Sequence, residues 1–457
     1  MSARAEQMAR AAWGAIGGDD PAVAALRFVG DGGLPSTFAV SDLAAAAIGV
    51  AALSIGELAQ TARGTMPPVT VDRRLASFWF SKSIRPTGWR MPGVWDAFAG
   101  DYRTSDGWIR LHTNAPHHRA AAERVVGRAA EKAETARAVA RWRAGDLESA
   151  IVHEGGCAAE MRSRDAWRHH PQGAAVGAEP LVRLAATERA AERGWSPQAD
   201  RPLAGLRVLD LTRVLAGPVA SRFLAGFGAS VLRVDPPDWN EPAIVPEVTL
   251  GKRCARLDLR DHGGRAIFEK LLAQADLLLC GYRSDALDGL GYDDAARRAL
   301  APGLIDVRLD AYGWSGPWAR RRGFDSLVQM SSGIAEAGMR WKAANEPVPL
   351  PVQALDHATG YLIAAAAIRG VTLRLTRGQG TQARLSLART AKWLTDEGEG
   401  LSSPPLAPES EGDVSPAIEM TAWGEARRLI PPVAIDGIAM RWDSPAAELG
   451  SSKPAWD

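Results

Sequence analysis

Three cysteines in 457 residues (Cys157, Cys254 and Cys280) lie far apart, with no CxxC pair. That excludes a disulfide framework and a thiolate zinc site, and it suits a reducing cytoplasm. Net charge is nearly absent: 54 Lys+Arg against 53 Asp+Glu leave +1, so there is no footprint for nucleic acid. No apolar run reaches the ~18 residues of a membrane span. The Ala-rich stretch Leu43–Leu58 comes closest, bracketed by Asp42 and Glu57. The N-terminal MSARAEQMARAAWG lacks the apolar core of a signal peptide. A cytoplasmic protein with no membrane partner is expected. His112, His117, His118, His169 and His170 share one region but offer no HxxxH or HExxH spacing, so they read as exposed or capping side chains rather than metal ligands. The loop Val214–Pro218 carries one glycine instead of GxGxxG, which argues against a dinucleotide cofactor.

What is present begins with a 46% apolar composition, enough for two or three domains with sizeable cores. Arginine dominates the basic residues, which suits anionic ligands. From residue 203 the pattern alternates strand and helix. Strand Arg207–Leu211, helix Pro218–Phe227 and strand Ser230–Val234 are followed by helix Gly263–Gln274, strand Asp276–Cys280, a helix near 293–299 and strand Leu304–Leu309. Such alternation predicts an α/β fold with a doubly wound, Rossmann-like parallel sheet. A smaller α+β unit is expected at about 95–175, opening on two strands around a Ser-Asp-Gly turn in GDYRTSDGWIRLHTN. CAAEMRSRDAWRHHPQG reads as a helix and a polar turn, and ERGWSPQADRP as a linker at about 193–202. Arg320–Arg322 read as a solvated cluster. After Leu394 an acidic, Pro/Ser-rich stretch reads as flexible, followed by short strands within Ala434–Trp442.

The stretch Pro349–Leu387 organises the rest. Asp356 stands before a helix pattern at Ala358–Leu375 that stops at Arg377-Gly378. On local pattern Asp356 is an N-cap; the alternative is a carboxylate held ionised and exposed as a nucleophile. Residues 38–64 repeat this arrangement at an offset of 314: Asp42 precedes an Ala-rich helix that ends at Arg63-Gly64. Both copies then reach a tryptophan, Trp79 and Trp393.

Four segments, in order, resemble the family III CoA-transferases, which include formyl-CoA:oxalate and carnitine CoA-transferases and alpha-methylacyl-CoA racemase. They are LAGLRVLDLTRVLAGPVASRFLAGFGASVLRVDPP (203–237), GKRCARLDLRDHGGRAIFEKLLAQADLLLCGYRSDALDGLGYD (251–293), YGWSGPWARRRGFDSLVQMSSG (312–333) and ALDHATGYLIAAAAIRG (354–370). The tail PAAELGSSKPAW resembles the family ending. Residues 1–195 resemble a degenerate C-terminal half, 203–395 the Rossmann-like transferase half with its nucleophile helix, and 396–457 the flexible loop, strands and tail.

The resemblance implies that Asp356 is the nucleophile, that Lys252, Arg253 and Arg283 bind CoA, and that acyl-CoA and a small carboxylic acid are the substrates. No permanently bound cofactor or metal is implied. A homodimer is, interlocked as in the family. Leu215 stands where oxalate-type enzymes have Gln, and Phe324 where the racemase branch has an acid/base His; both argue against those activities. Asp42 reads as a vestigial cap. Racemisation or isomerisation on the same fold, and a non-catalytic acyl-CoA-binding role, are the alternatives.

Overall fold

The computed structural model describes residues 3–189, 194–400 and 403–456. The N-terminal part carries α1 (Ala3–Ala15), β1 (Leu26–Val29), α2 (Val40–Arg63), β2 (Val69–Asp72), α3 (Arg73–Trp79) and β3 (Ile84–Pro86). A small unit follows: β4 (Gly100–Arg103), β5 (Trp108–Leu111), α4 (Pro116–Val126), α5 (Lys132–Val139), α6 (Ala144–His153) and β6 (Ala158–Glu160). The segment expected as one helix and a turn is instead β6 and two short helices, α7 (Arg164–His169) and α8 (Pro171–Ala178). Ser163 caps the first and the His170 ring caps the second, so Pro171 starts a new helix rather than a turn. Strand β7 (Arg183–Arg189) precedes the expected linker, whose Glu192 and Arg193 lie outside the described residues.

Then come β8 (Arg207–Leu211), α9 (Ala216–Gly226), β9 (Ser230–Asp235), α10 (Val245–Val248), β10 (Lys252–Arg256), α11 (His262–Gln274), β11 (Leu277–Cys280), α12 (Asp294–Leu300) and β12 (Ile305–Asp310). Helices α13 (Asp325–Ser331), α14 (Ile334–Trp341) and α15 (Ala354–Arg377) lead to β13 (Gln379–Ser386) and α16 (Leu387–Asp396). The tail strands β14 (Glu419–Thr421), β15 (Gly424–Arg428) and β16 (Val433–Ile435) lie earlier than expected; the segment beyond Ile435 is mostly irregular and packs through Met440 and Trp442.

The expected α/β architecture is present. Seven strands run in the order β10-β9-β8-β11-β12-β13-β7, all parallel except the edge strand β7, which pairs antiparallel with β13. Strand order reverses between β8 and β11, so the crevice at the carboxyl ends of these strands is where a ligand fits. The small unit folds on its own three-stranded sheet, β4-β5-β6.

Helix α15 runs through the main core, and its apolar side chains are buried from Ala354 to Val371. Each fully buried Leu or Ile there contributes about 1.5–3 kcal/mol. Gly360 lets α15 meet α9: a Cβ there would stand 2.5 Å from the Ala216 carbonyl. Helix α2 packs along α15. It is long and apolar enough to cross a membrane, yet 94% of that apolar window is buried inside the protein.

The repeat is structural. Both α2 and α15 have 24 residues, both end on a left-handed glycine (Gly64 and Gly378), and both begin after residues of nearly equal conformation, Ala39 at φ −76°, ψ 54° and Gln353 at φ −75°, ψ 66°. The offset continues through the capping residues Asp72 and Ser386 to Trp79 and Trp393. Neither aspartate is the expected N-cap. Asp42 and Asp356 are each the third helical residue, because the helices start at Val40 and Ala354, ahead of the aspartates.

A buried charge cluster joins the halves. Glu247 accepts from the backbone N–H groups of Ser83 (3.0 Å) and Ile84 (3.1 Å) and pairs with Arg222 and, at 3.3 Å, Arg428. The acidic stretch read as flexible makes its own bonds: Glu399 pairs with Arg164 (2.7 Å) and Arg340 (3.0 Å), and Asp413 with Arg74 at 2.6 Å.

Asp42 pairs with Arg73 at 2.7 Å, the two side chains only 6% and 9% exposed. Replacing Arg73 with Leu strands a buried carboxylate, so R73L is expected to lose about 3–5 kcal/mol in urea unfolding, with most of the loss recovered in D42L/R73L.

Candidate active site

A cleft of about 460 Å³ opens at the carboxyl edge of the sheet. Each parallel strand delivers residues to it: Arg213 and Val214 after β8, Asp235 and Pro236 from β9, Leu257 after β10, Gly281–Arg283 after β11, Asp310 and Ala311 from β12, and Leu387 after β13. Asp356 lines it from α15, and His117 and His118 line it from the first turn of α4. Val214 sits at φ +63°, a left-handed conformation that a β-branched residue adopts only at a cost. Its N–H is held by Glu241 at 2.9 Å, which fixes the loop entering α9.

The helix start bearing Asp356 is capped from elsewhere. Gln353 makes no side-chain cap bond. Instead one oxygen of Asp325, on α13, accepts from the N–H groups of Leu355 (2.9 Å) and Asp356 (3.0 Å). Its other oxygen accepts from the Gln329 amide, and Gln329 in turn accepts from Leu350 N–H at 2.7 Å. Three N–H donors therefore converge on Asp325.

Asp356 is 7% exposed. Burial first, and the Asp325 charge second, push it well above the usual carboxylate range. Burial also raises Asp325, to about 6, while its three donors oppose the shift. The pair shares one negative charge, and the donors place it on Asp325. Asp356 is thus buried, with its ionisation opposed by desolvation and by the neighbouring Asp325, rather than held ionised and exposed. Burial likewise holds the Asp310 carboxyl up at about 8. Arg213, Arg260, Arg283, Arg321 and Arg322 line the cleft together with Asp235, Asp238 and Asp258, and Arg260 pairs with Asp258 at 2.8 Å.

Of the expected CoA-binding residues, only Arg283 lines the cleft, its side chain 41% exposed. Lys252 is 2% exposed; its ammonium meets Asp210 at 3.3 Å and the Pro218 carbonyl at 2.8 Å, so it braces β8 and α9 and cannot reach a phosphate. Arg253 neighbours it on β10, outside the cleft lining. Arg213 and Arg260 line the cleft instead; Arg213 stacks between Trp239 (4.4 Å) and Tyr282 (4.6 Å). The Arg320–Arg322 run is not simply solvated. Arg321 stacks on Trp318 at 3.9 Å and pairs with buried Glu148 at 2.9 Å, and Arg322 lines the cleft. His112 and His118, expected exposed, are 6% and 4% exposed because Phe324 packs against both rings, 3.7 Å from the His112 centroid and 5.8 Å from that of His118. Asp325 was not singled out as functional from the sequence. Its signal was Asp-x-x-x-Gln at helical spacing, which places Gln329 one turn on.

Fold and site thus define a doubly wound α/β protein with a buried carboxyl at its ligand crevice. Residues 203–401 match the family model described as CoA-transferase family III. Among curated proteins it is 32% identical over 203 residues to the succinyl-CoA:glutarate CoA-transferase of Mus musculus, covering 40% of this chain and 46% of that one. It is 33% identical over 186 residues to the alpha subunit of succinyl-CoA--L-malate CoA-transferase of Chloroflexus aurantiacus, covering 36% and 44%. The chain spans about half the length of the curated relatives it matches. Similar solved structures include a hypothetical protein from Mycobacterium tuberculosis (30% identity, TM-score 0.39, 43% of this chain and 58% of that one). Another is a CAIB/BAIF family protein from Brucella suis (24%, TM-score 0.38, 50% and 65%).

A carboxyl whose folded pKa lies above its unfolded value destabilises the fold as pH rises from the unfolded pKa, about 4, through the folded one. Asp356→Asn removes this penalty. D356N is expected to melt at a higher temperature than wild type at pH 7–8, with the gap closing toward pH 4.

Proposed function

We propose that the chain transfers CoA from an acyl-CoA thioester to a carboxylic acid, with Asp356 as nucleophile and dicarboxylic acids as the acyl groups exchanged. The carrying observation is a buried carboxyl, without a side-chain hydrogen-bond donor to satisfy it among the described residues, lining an arginine-bearing cleft on the carboxyl edge of the sheet. The match of residues 203–401 to the family model supports the reaction class, and the named substrates of the similar transferases support the acid class.

The steps follow from the chemistry of a carboxylate. Asp356 releases its proton to solvent and its carboxylate attacks the thioester carbonyl; the C–S bond breaks, CoA thiolate leaves, and a mixed anhydride remains. The thiolate then attacks the aspartyl carbonyl of the anhydride, releasing the first acid and leaving an aspartyl-CoA thioester. The acceptor carboxylate attacks that thioester and expels the thiolate, giving a second anhydride. Return of the thiolate to the acceptor's carbonyl gives the new acyl-CoA and regenerates Asp356. Each intermediate keeps the acyl group activated, which divides one difficult exchange into easier steps. Desolvation makes the ionised carboxylate reactive, and Asp325 holds the helix start so that it stays aimed at the cleft. Arg213, Arg260 and Arg283 suit the phosphates of CoA. Phe324 is no acid/base, which disfavours racemisation.

Incubation with succinyl-CoA, a hydroxylamine quench and peptide mapping are expected to place the label on Asp356, and D356A to show no turnover. Label elsewhere across a panel of acyl-CoAs, with D356A still active, overturns the reading; acyl-CoA binding without exchange points to a non-catalytic role. Because only ionised Asp356 attacks, the acid limb of kcat/KM is expected well above the ordinary carboxylate range, rising with pH. Leu387 stands where the first copy has Arg73. L387R is expected to pair with Asp356 as Arg73 pairs with Asp42, lowering its pKa and cutting turnover at least a hundredfold, about 3 kcal/mol, while the protein stays folded by circular dichroism.

A further inference from the structure

The wall of the cleft supplied by the small unit has polar groups left over. His118 is 4% exposed, and among the described residues neither of its ring nitrogens has a hydrogen-bond partner. It lines the cleft that Asp356 also lines. A buried imidazole with both nitrogens unmet costs about 1–3 kcal/mol, so a folded protein that keeps one has a use for it. Arg322 lines the same wall. Among the described residues its hydrogen bond is a long one, Nη1 to the Gly155 carbonyl at 3.3 Å, and no carboxylate lies within 4 Å of it. The neighbouring cations are spent: Arg321 on Glu148, and Arg119 on Glu123 and Asp96. His117 adds its ring at 4.1 Å from that of His118.

We propose that His118 and Arg322 form a carboxylate subsite that holds the far carboxylate of a dicarboxylic acyl group while its other end reacts at Asp356. This rests on the transferase reading above but concerns recognition, not the chemical steps. The guanidinium fork takes both carboxylate oxygens, and a neutral imidazole contributes one N–H. Burial keeps His118 neutral in the empty cleft, holding it down at about 3, so the subsite carries one positive charge for one negative charge. Phe324, stacked on His112 and edge-on to His118, fixes the rings and closes the wall behind them. Arg213, Arg260 and Arg283, the cations suited to the nucleotide of CoA, line the same cleft. A monocarboxylic acyl group would press a methyl against Arg322 and leave His118 unmet, so the site discriminates by what it leaves unpaired.

The test compares succinyl-CoA with butyryl-CoA, which share every CoA contact and differ by the far carboxylate. Titration calorimetry on full-length D356N separates binding from turnover. Succinyl-CoA is expected to bind about tenfold tighter or more. Adding Arg322→Gln or His118→Leu should erase that preference and leave butyryl-CoA affinity unchanged, and His118→Gln, which keeps a donor, should retain part of it. Equal affinities in the parent, or variants that weaken both ligands alike, overturn the subsite. The transferase reading is judged separately: label missing from Asp356 in the trapping experiment sinks that reading and leaves this binding difference to be measured on its own.

Discussion

The two bonds from the Leu355 and Asp356 N–H groups to Asp325 are the contact on which the site depends. They substitute for a missing N-cap, and they tie α13 to the start of α15. They also favour the charge of the pair on Asp325. Asp356 is thereby left desolvated and beside an anion, both of which oppose its ionisation. A conventional cap on residue 353 would satisfy the helix equally well but would leave burial alone to raise Asp356. The helix start is therefore stabilised by a group that also sets the nucleophile's proton affinity.

The internal repeat supplies a comparison within one chain. In the first copy β1 pairs parallel with β2 as β12 does with β13, and α2 matches α15 in length and in its glycine stop. Two differences separate a closed site from an open one. Residues 30–39 join β1 to α2 without helices, whereas residues 311–353 between β12 and α15 contain α13 and its Asp325. Position 73 is Arg and its counterpart is Leu387. Arg73 occupies the space beside Asp42 and neutralises it, so the first copy has become a packing element against α15.

Much of the fold was legible because its signals are local. The strand–helix alternation from Arg207 to Asp310 follows from hydrophobic period and glycine stops, and each of those elements appears within a few residues of its expected place. Asp356 was legible through its surrounding motif. What was not legible depends on side chains converging from distant segments. Lys252 sits in a Gly-Lys-Arg sequence that looks phosphate-binding, yet the pleat of β10 turns it inward to Asp210, while the side that could meet ligand is filled from other loops. His118 reads as an exposed helix-start residue until Phe324, some two hundred residues on, covers it. Asp325 carried no reading of its own and proves to cap the start of another helix.

Charge placement differs between the core and the cleft. Glu247 has two arginines and two backbone donors, Arg233 has Asp235 and Glu241, and Lys252 has Asp210 and a carbonyl. In the cleft, among the described residues, Asp356 has no side-chain donor, neither ring nitrogen of His118 has a hydrogen-bond partner, and Arg322 has no carboxylate. Incomplete pairing of buried polar groups is costly wherever it occurs. A ligand that complements these groups brings an electrophilic carbonyl to Asp356 and an anion to His118 and Arg322.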